Sequence, residues 1–165
     1  MVLNFQEMQR HFVEFFTNRI LLCSIFSWFV AQFIKIFTGL RRNEKTSLMR
    51  FLVGSGGMPS SHSAVVMACA FSTGILHGFN SALFAISAVL AVVVMRDASG
   101  VRRESGKQAA AINLMSRELR KNWKDFVEVT LTELLGHTPL QVLFGALLGV
   151  LMAFLCQYWF FPLIF

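Results

Sequence analysis

Four stretches of the chain are apolar over long runs: residues 18–40, 59–79, 81–95 and 139–161. A bilayer core takes roughly 20 residues of helix, which the first, second and fourth stretches supply. The third becomes long enough only if it runs on to Asp97. The turn His77-Gly78-Phe79-Asn80 makes the middle two an antiparallel hairpin. Ahead of the first span, residues 5–16 mix apolar and polar positions in the manner of an amphipathic helix lying along the membrane interface.

A polar stretch, residues 99–136, separates the third and fourth spans. Within it Ala109, Ile112, Met115 and Leu119 recur at near-helical spacing among Arg, Glu and Lys, which suits a helix packed on the membrane surface. Residues 123–135 continue with Phe126, Val127, Val129, Leu131, Leu134 and Leu135 as a second helix. The pattern therefore predicts an all-α, polytopic membrane helical bundle with about four membrane helices plus interfacial helices. It forms a single membrane domain over residues 1–165, with 1–17 interfacial and 18–161 the bundle.

Composition supports the bilayer as solvent. Hydrophobic residues make up 55% of the chain and charged ones 15%, against about 25% charged in a typical soluble domain. Cys23, Cys69 and Cys156 each sit inside an apolar run without metal-type spacing and read as packing residues, not a disulfide framework. Glu7, Arg10 and Glu14 among the first apolar residues do not match a signal peptide.

Charge sets the expected orientation. The net charge of +6 is concentrated in residues 41–50 and 102–124. Beside membrane spans such clusters mark the cytoplasmic face and meet anionic lipid heads, which we favour over nucleic-acid binding. Both termini then lie outside, in the inner (cell) membrane of a bacterium. The end of span one, the start of span two, the end of span three and the start of span four all meet at the cytoplasmic face.

The candidate chemistry lies at those four points. Gly54-Ser55-Gly56-Gly57-Met58-Pro59-Ser60-Ser61-His62-Ser63 combines glycines that let the backbone approach a ligand, a proline that starts a helix and serines at its first turn. Free amides at a helix N-terminus bind anions, and His62 adds a proton donor with a pKa near neutrality. A capped helix start with a packed histidine explains Pro59 and one serine. It leaves Gly56, Gly57, the other serines and the histidine without a purpose, so the segment reads as half of a phosphate-handling site.

Pro59-Ser60-Ser61-His62 resembles the proline-serine-glycine-histidine signature of the type-2 phosphatidic acid phosphatases, a superfamily that includes the vanadium haloperoxidases. Lys35 and Arg42 have the spacing of its first motif, with Asn43 where that motif has proline. His137 stands at the histidine of the third motif, with Leu131 at the arginine's place and Gln141 at the aspartate's. Residues 56–63, Asp97-Ala98-Ser99-Gly100-Val101-Arg102-Arg103 and Leu135-Gly136-His137-Thr138-Pro139 together resemble the divergent branch of the superfamily, over residues 35–148.

The resemblance implies a phosphatase. His137 is implied as the nucleophile, forming a phosphohistidine, and His62 as the general acid for the leaving alcohol. Lys35, Arg42 and the amides near Ser60 and Ser61 are implied to hold the phosphoryl oxygens, as such a transition state requires. Arg102 or Arg103 would supply the guanidinium that Leu131 lacks. Asp97 either orients a histidine or pairs with Arg96 or Arg102; Glu133, one turn before His137, is a further orienting candidate. Gln141 can accept a hydrogen bond from an imidazole but cannot stabilise its charged form as a carboxylate would.

The implied substrate is a lipid phosphomonoester or pyrophosphate, with membrane lipids as surroundings, no nucleic acid, and no metal or other cofactor. A non-catalytic lipid-phosphate binding or transport protein is the rival reading, and a metal site of His62, His137 and Asp97 a third. Lys35 has an alternative role as a snorkelling side chain. His11 and His77 read as headgroup-level histidines, and Trp28, Trp123 and Trp159 as interface residues. Gly145 and Gly149 read as a close helix contact.

Overall fold

The computed structural model describes residues 4–41, 57–123, 130–131 and 136–164. Its helices are α1 (Phe5–Phe16), α2 (Arg19–Arg41), α3 (Ser61–His77), α4 (Ala82–Ser99), α5 (Val101–Asn122) and α6 (Pro139–Leu155), followed by a π-helical segment (Cys156–Phe160) and a last turn, α7 (Phe161–Ile164). Helices are what a lipid solvent demands, because every backbone N–H and C=O must find its partner within the protein. The starts are capped by side chains that the sequence supplies. Asn18 Oδ1 accepts from the Ile20 and Leu21 amides at 3.0 and 3.1 Å, and Ser81 Oγ accepts from the Phe84 amide at 3.2 Å. Such a cap contributes about 1 kcal/mol.

Arg19–Thr38, Ala82–Asn122 and Pro139–Ile164 are long and apolar enough to cross a membrane. This chain is an integral membrane protein. The expected second span differs: α3 has 17 residues, about 26 Å at 1.5 Å per residue, because Pro59 and Ser60 belong to the approach rather than the helix. It also has the least need of lipid contact, since α2, α4 and α6 all pack on it.

Small side chains make that central position possible. The buried residues of α3 are Ser61, Ser63, Ala64, Ala68, Ala70, Ser72, Thr73 and Gly74, so neighbouring backbones come close. On α6, a Cβ at Gly145 would collide with the Ser60 carbonyl and lie 2.9 Å from Ser63 Cβ; one at Gly149 would collide with the Ala64 carbonyl. The two glycines are a helix contact, as their spacing predicts. Farther along the bundle, Cys23, Ala68, Met152, Ala153, Cys156 and Phe161 form an apolar core; Cys23, Cys69 and Cys156 are free thiols.

The amphipathic helices lie outside this core. None of α1 is buried, and Phe5, Met8, Phe12, Phe15 and Phe16 are uncovered by protein. In α5 the expected apolar stripe is uncovered too, with Ile112 and Met115 exposed; the buried positions are Gly106, Asn113 and Ser116. Asn113 serves as a strut, its side-chain amide donating to the Leu131 carbonyl at 2.9 Å and accepting from the Leu131 amide at 2.7 Å. The helix expected within residues 123–135 falls mostly outside the described residues.

Candidate active site

Three contacts bring the separate motifs to one end of the bundle. The Lys35 ammonium, near the end of α2, donates to Ser61 Oγ at the start of α3 (3.1 Å). The Ser60 amide donates to the main-chain carbonyl of Gln141 in α6 (2.9 Å), and the His137 amide to the carbonyl of Ala98 in α4 (3.0 Å). Gly57, at φ +82°, turns the incoming chain over the Lys35 stem, 3.8 Å from where its Cβ would stand. The Thr38 hydroxyl fastens the same loop by donating to the Met58 carbonyl at 3.1 Å.

At the N-terminus of α3, Ser60 is the cap. Its hydroxyl accepts from the Ser63 amide at 3.3 Å and from the Ser63 hydroxyl at 3.0 Å, and it is completely buried. Both its amide and its hydroxyl are therefore committed to structure, whereas the amides of Ser61 and His62 have no partner among the described residues. Those two, not Ser60, are the first-turn donors open to an anion.

A cavity of about 30 Å³ lies beside them, lined by His62, Val94, Asp97, Ala98, Arg102, Gly136 and His137. That exceeds the roughly 10–15 Å³ needed for one water. The rings of His62 and His137 lie 6.4 Å apart between centroids, tilted at 59° to each other. Arg102 Nε donates to Asp97 Oδ2 at 2.7 Å. Of the two roles open to Asp97 in the sequence, the structure displays the ion pair with Arg102. Gly136 explains how chain and helix come so near: a Cβ there would meet the Arg103 amide, the Arg102 carbonyl carbon and the Ala98 oxygen. Arg103 is half-buried and does not line the cavity; Arg42 and Glu133 lie outside the described residues.

His137 is 4% exposed, and its two nitrogens differ. Nδ1 meets Gln141 Oε1 at 3.2 Å, while Nε2 is buried without a hydrogen-bond partner among the described residues. Burial pushes the imidazole below the usual histidine range. The Gln141 hydrogen bond opposes that shift, and the charges of Lys35, His62 and Arg102 reinforce it.

With this geometry, the comparison with known proteins is direct. The model of a family described as the Divergent PAP2 family matches residues 16–152. The chain belongs to the Divergent PAP2 family. A curated family relative of like size, an uncharacterized membrane protein, YuiD, of Bacillus subtilis (strain 168), is 39% identical over 158 residues, covering 90% of this chain and 99% of that one. No solved structure matches. The family match spans α2 to most of α6 and so includes every wall of the cavity; α1 precedes it.

Some residues of the site were not singled out from sequence. Thr38 carries no signal of its own. Thr138-Pro139-Leu140-Gln141 does: it is a capping box, with the Thr138 hydroxyl accepting from the Gln141 amide at 3.4 Å and Gln141 Oε1 from the Thr138 amide at 3.0 Å. Gln141 was visible as a departure from a motif, while the cap it builds shows why a glutamine fits there.

Proposed function

We propose that this Divergent PAP2 family protein is a membrane lipid-phosphate phosphatase, hydrolysing a phosphomonoester or pyrophosphate at the cytoplasmic face. The observation that carries the reading is His137 Nε2, a buried nitrogen without a partner among the described residues, on a ring that lines a cavity shared with His62 and Arg102. Burying such an atom unsatisfied has a cost that a reactive role would justify.

In the proposed reaction, neutral His137 attacks phosphorus through Nε2. The phosphorus–oxygen bond to the lipid breaks, and the leaving oxygen takes a proton from protonated His62. Water then attacks the phosphohistidine, giving its proton to His62 and returning phosphate and free His137. With ring centroids 6.4 Å apart, both imidazoles are near enough to act on one phosphoryl group. Lys35, Arg102 and the amides of Ser61 and His62 hold the phosphoryl oxygens, with Arg42 as a further cation and Arg103 behind Arg102. Asp97 holds the Arg102 fork.

One observation favours the rival, a non-catalytic lipid-phosphate binder. Leu131, at the place of the motif arginine, engages Asn113 through its main chain and brings no charge. The test is phosphate release by purified protein in lipid vesicles, offered phosphatidylglycerophosphate-type and polyprenyl-phosphate-type substrates, with and without a strong chelator. Turnover that persists in chelator and disappears in His137→Ala is the expected result. Binding without turnover, and no radiolabelled phosphate trapped on His137, would sink the enzymatic reading.

A further inference from the structure

The side chain of Gln141 meets two donors, and that fixes its chemistry. Oε1 lies 3.0 Å from the Thr138 main-chain nitrogen, a group that only donates, so the atom facing it is the amide oxygen. The same oxygen lies 3.2 Å from His137 Nδ1. An oxygen without a hydrogen can only accept, so Nδ1 carries the proton. A neutral imidazole has one N–H, which leaves the lone pair on Nε2. The hydrogen-bond network alone thus selects the tautomer.

Gln141 also holds the ring in place from below. Its main-chain carbonyl accepts from the Ser60 amide at 2.9 Å, so the residue that orients His137 also ties α6 to the cap of α3, directly before Ser61 and His62. We infer that Gln141 is the positioning residue of the site, holding His137 with Nδ1 protonated and Nε2 free while joining that histidine to the anion-binding turn of α3. The inference rests on His137 acting as nucleophile.

A carboxamide has a consequence that a carboxylate would reverse. The groups facing His137 are Lys35 from α2, His62 from α3, the Asp97–Arg102 pair from α4 and α5, and Gln141 from its own segment. Among the described residues only Asp97 is negative, and Arg102 balances it. The Gln141 oxygen favours the imidazolium, but burial and the nearby positive charges outweigh it, so the ring keeps its neutral, nucleophilic form to lower pH than a free histidine. A carboxylate at position 141 would accept the same two hydrogen bonds and add an opposite charge, raising the imidazole's proton affinity by about one pH unit or more.

The experiment is nitrogen-15 NMR of histidine-labelled protein in lipid nanodiscs, with His137→Gln to assign the signal, alongside the pH profile of lipid-phosphate hydrolysis. The expected wild-type spectrum is a neutral Nδ1–H tautomer at a pH where free histidine is largely protonated. Gln141→Glu is expected to move the titration and the acid limb of kcat/KM upward together. Gln141→Leu should mix the tautomers and lower kcat about 10–100-fold with KM little changed. A wild-type Nε2–H tautomer overturns the inference, whether or not the variants fold, and so does a titration unmoved by Gln141→Glu. Correct tautomer and titration without turnover by any variant would instead overturn the phosphatase reading and leave the positioning geometry standing.

Discussion

Two histidines of the same chemical type occupy different surroundings, and the difference assigns them different work. His137 is enclosed, bonded on one nitrogen and bare on the other; His62 is exposed at its place on the first turn of α3. A nucleophile needs a free lone pair and an acid needs access to a proton, so the proposed roles should separate in experiment. His137→Ala should lower turnover by roughly 10⁴-fold or more on every substrate. His62→Ala should cost about 10²–10⁴-fold on a lipid phosphate, but little in the first-turnover release of an aryl leaving group that needs no proton; equal losses in the two would refute the assignment. The pH dependence follows from burial. His137 attacks when neutral, and its pKa is held below the ordinary histidine value, so activity should persist below about pH 6.5 before protonation removes it. A loss of activity on acidification centred above that value would contradict the buried, neutral nucleophile.

At the scale of elements, the site depends on how closely α6 approaches α3. Gly145 and Gly149 face the Ser60 and Ala64 carbonyls with no room for a Cβ, and the same contact carries the Ser60–Gln141 hydrogen bond. Gly145→Ala must push the helices apart or distort the cap. We expect a loss of about 1–3 kcal/mol in unfolding measured in detergent, as for overpacked cores, together with weakened activity. Leu147→Ala, on the exposed side of the same helix, should change stability by no more than about 0.5 kcal/mol. Equal effects would mean that the glycines are incidental. The pairing was legible in sequence as two glycines four apart; its partner was not, because a small-residue stripe does not say which helix it faces.

For the whole molecule, orientation is the property that the fold needs and the basic segments predict. If the basic segments face the cytoplasm as their charge predicts, the α2–α3 and α4–α5 ends, and the cavity with them, lie inside, and the α3–α4 turn outside. A membrane-impermeant maleimide should label Asn80→Cys in intact cells and Ser105→Cys only after permeabilisation; both positions are exposed. The opposite pattern would reverse the proposed membrane face while leaving the site's geometry intact.

Local chemistry is what the sequence by itself determined. Apolar runs specify helices because lipid offers no hydrogen bonds. The segment around Ser60 stands out because it holds more glycine, serine and histidine than a capped helix start needs, and the segments around Asp97 and His137 stand out by their resemblance to the family's motifs. Their convergence at one end of the bundle was legible as well, since four span ends leave few topologies. Tertiary structure alone decided which candidates keep their polar atoms free. Ser60 is absorbed into a cap, Asp97 into an ion pair, and Arg102 rather than Arg103 reaches the cavity. Gln141, which looked like the place where a motif was missing, proves to be where α6, α3 and His137 are joined. Such assignments depend on hydrogen bonds between residues far apart in the chain, and each bond exists only because small side chains let the helices that carry them come close.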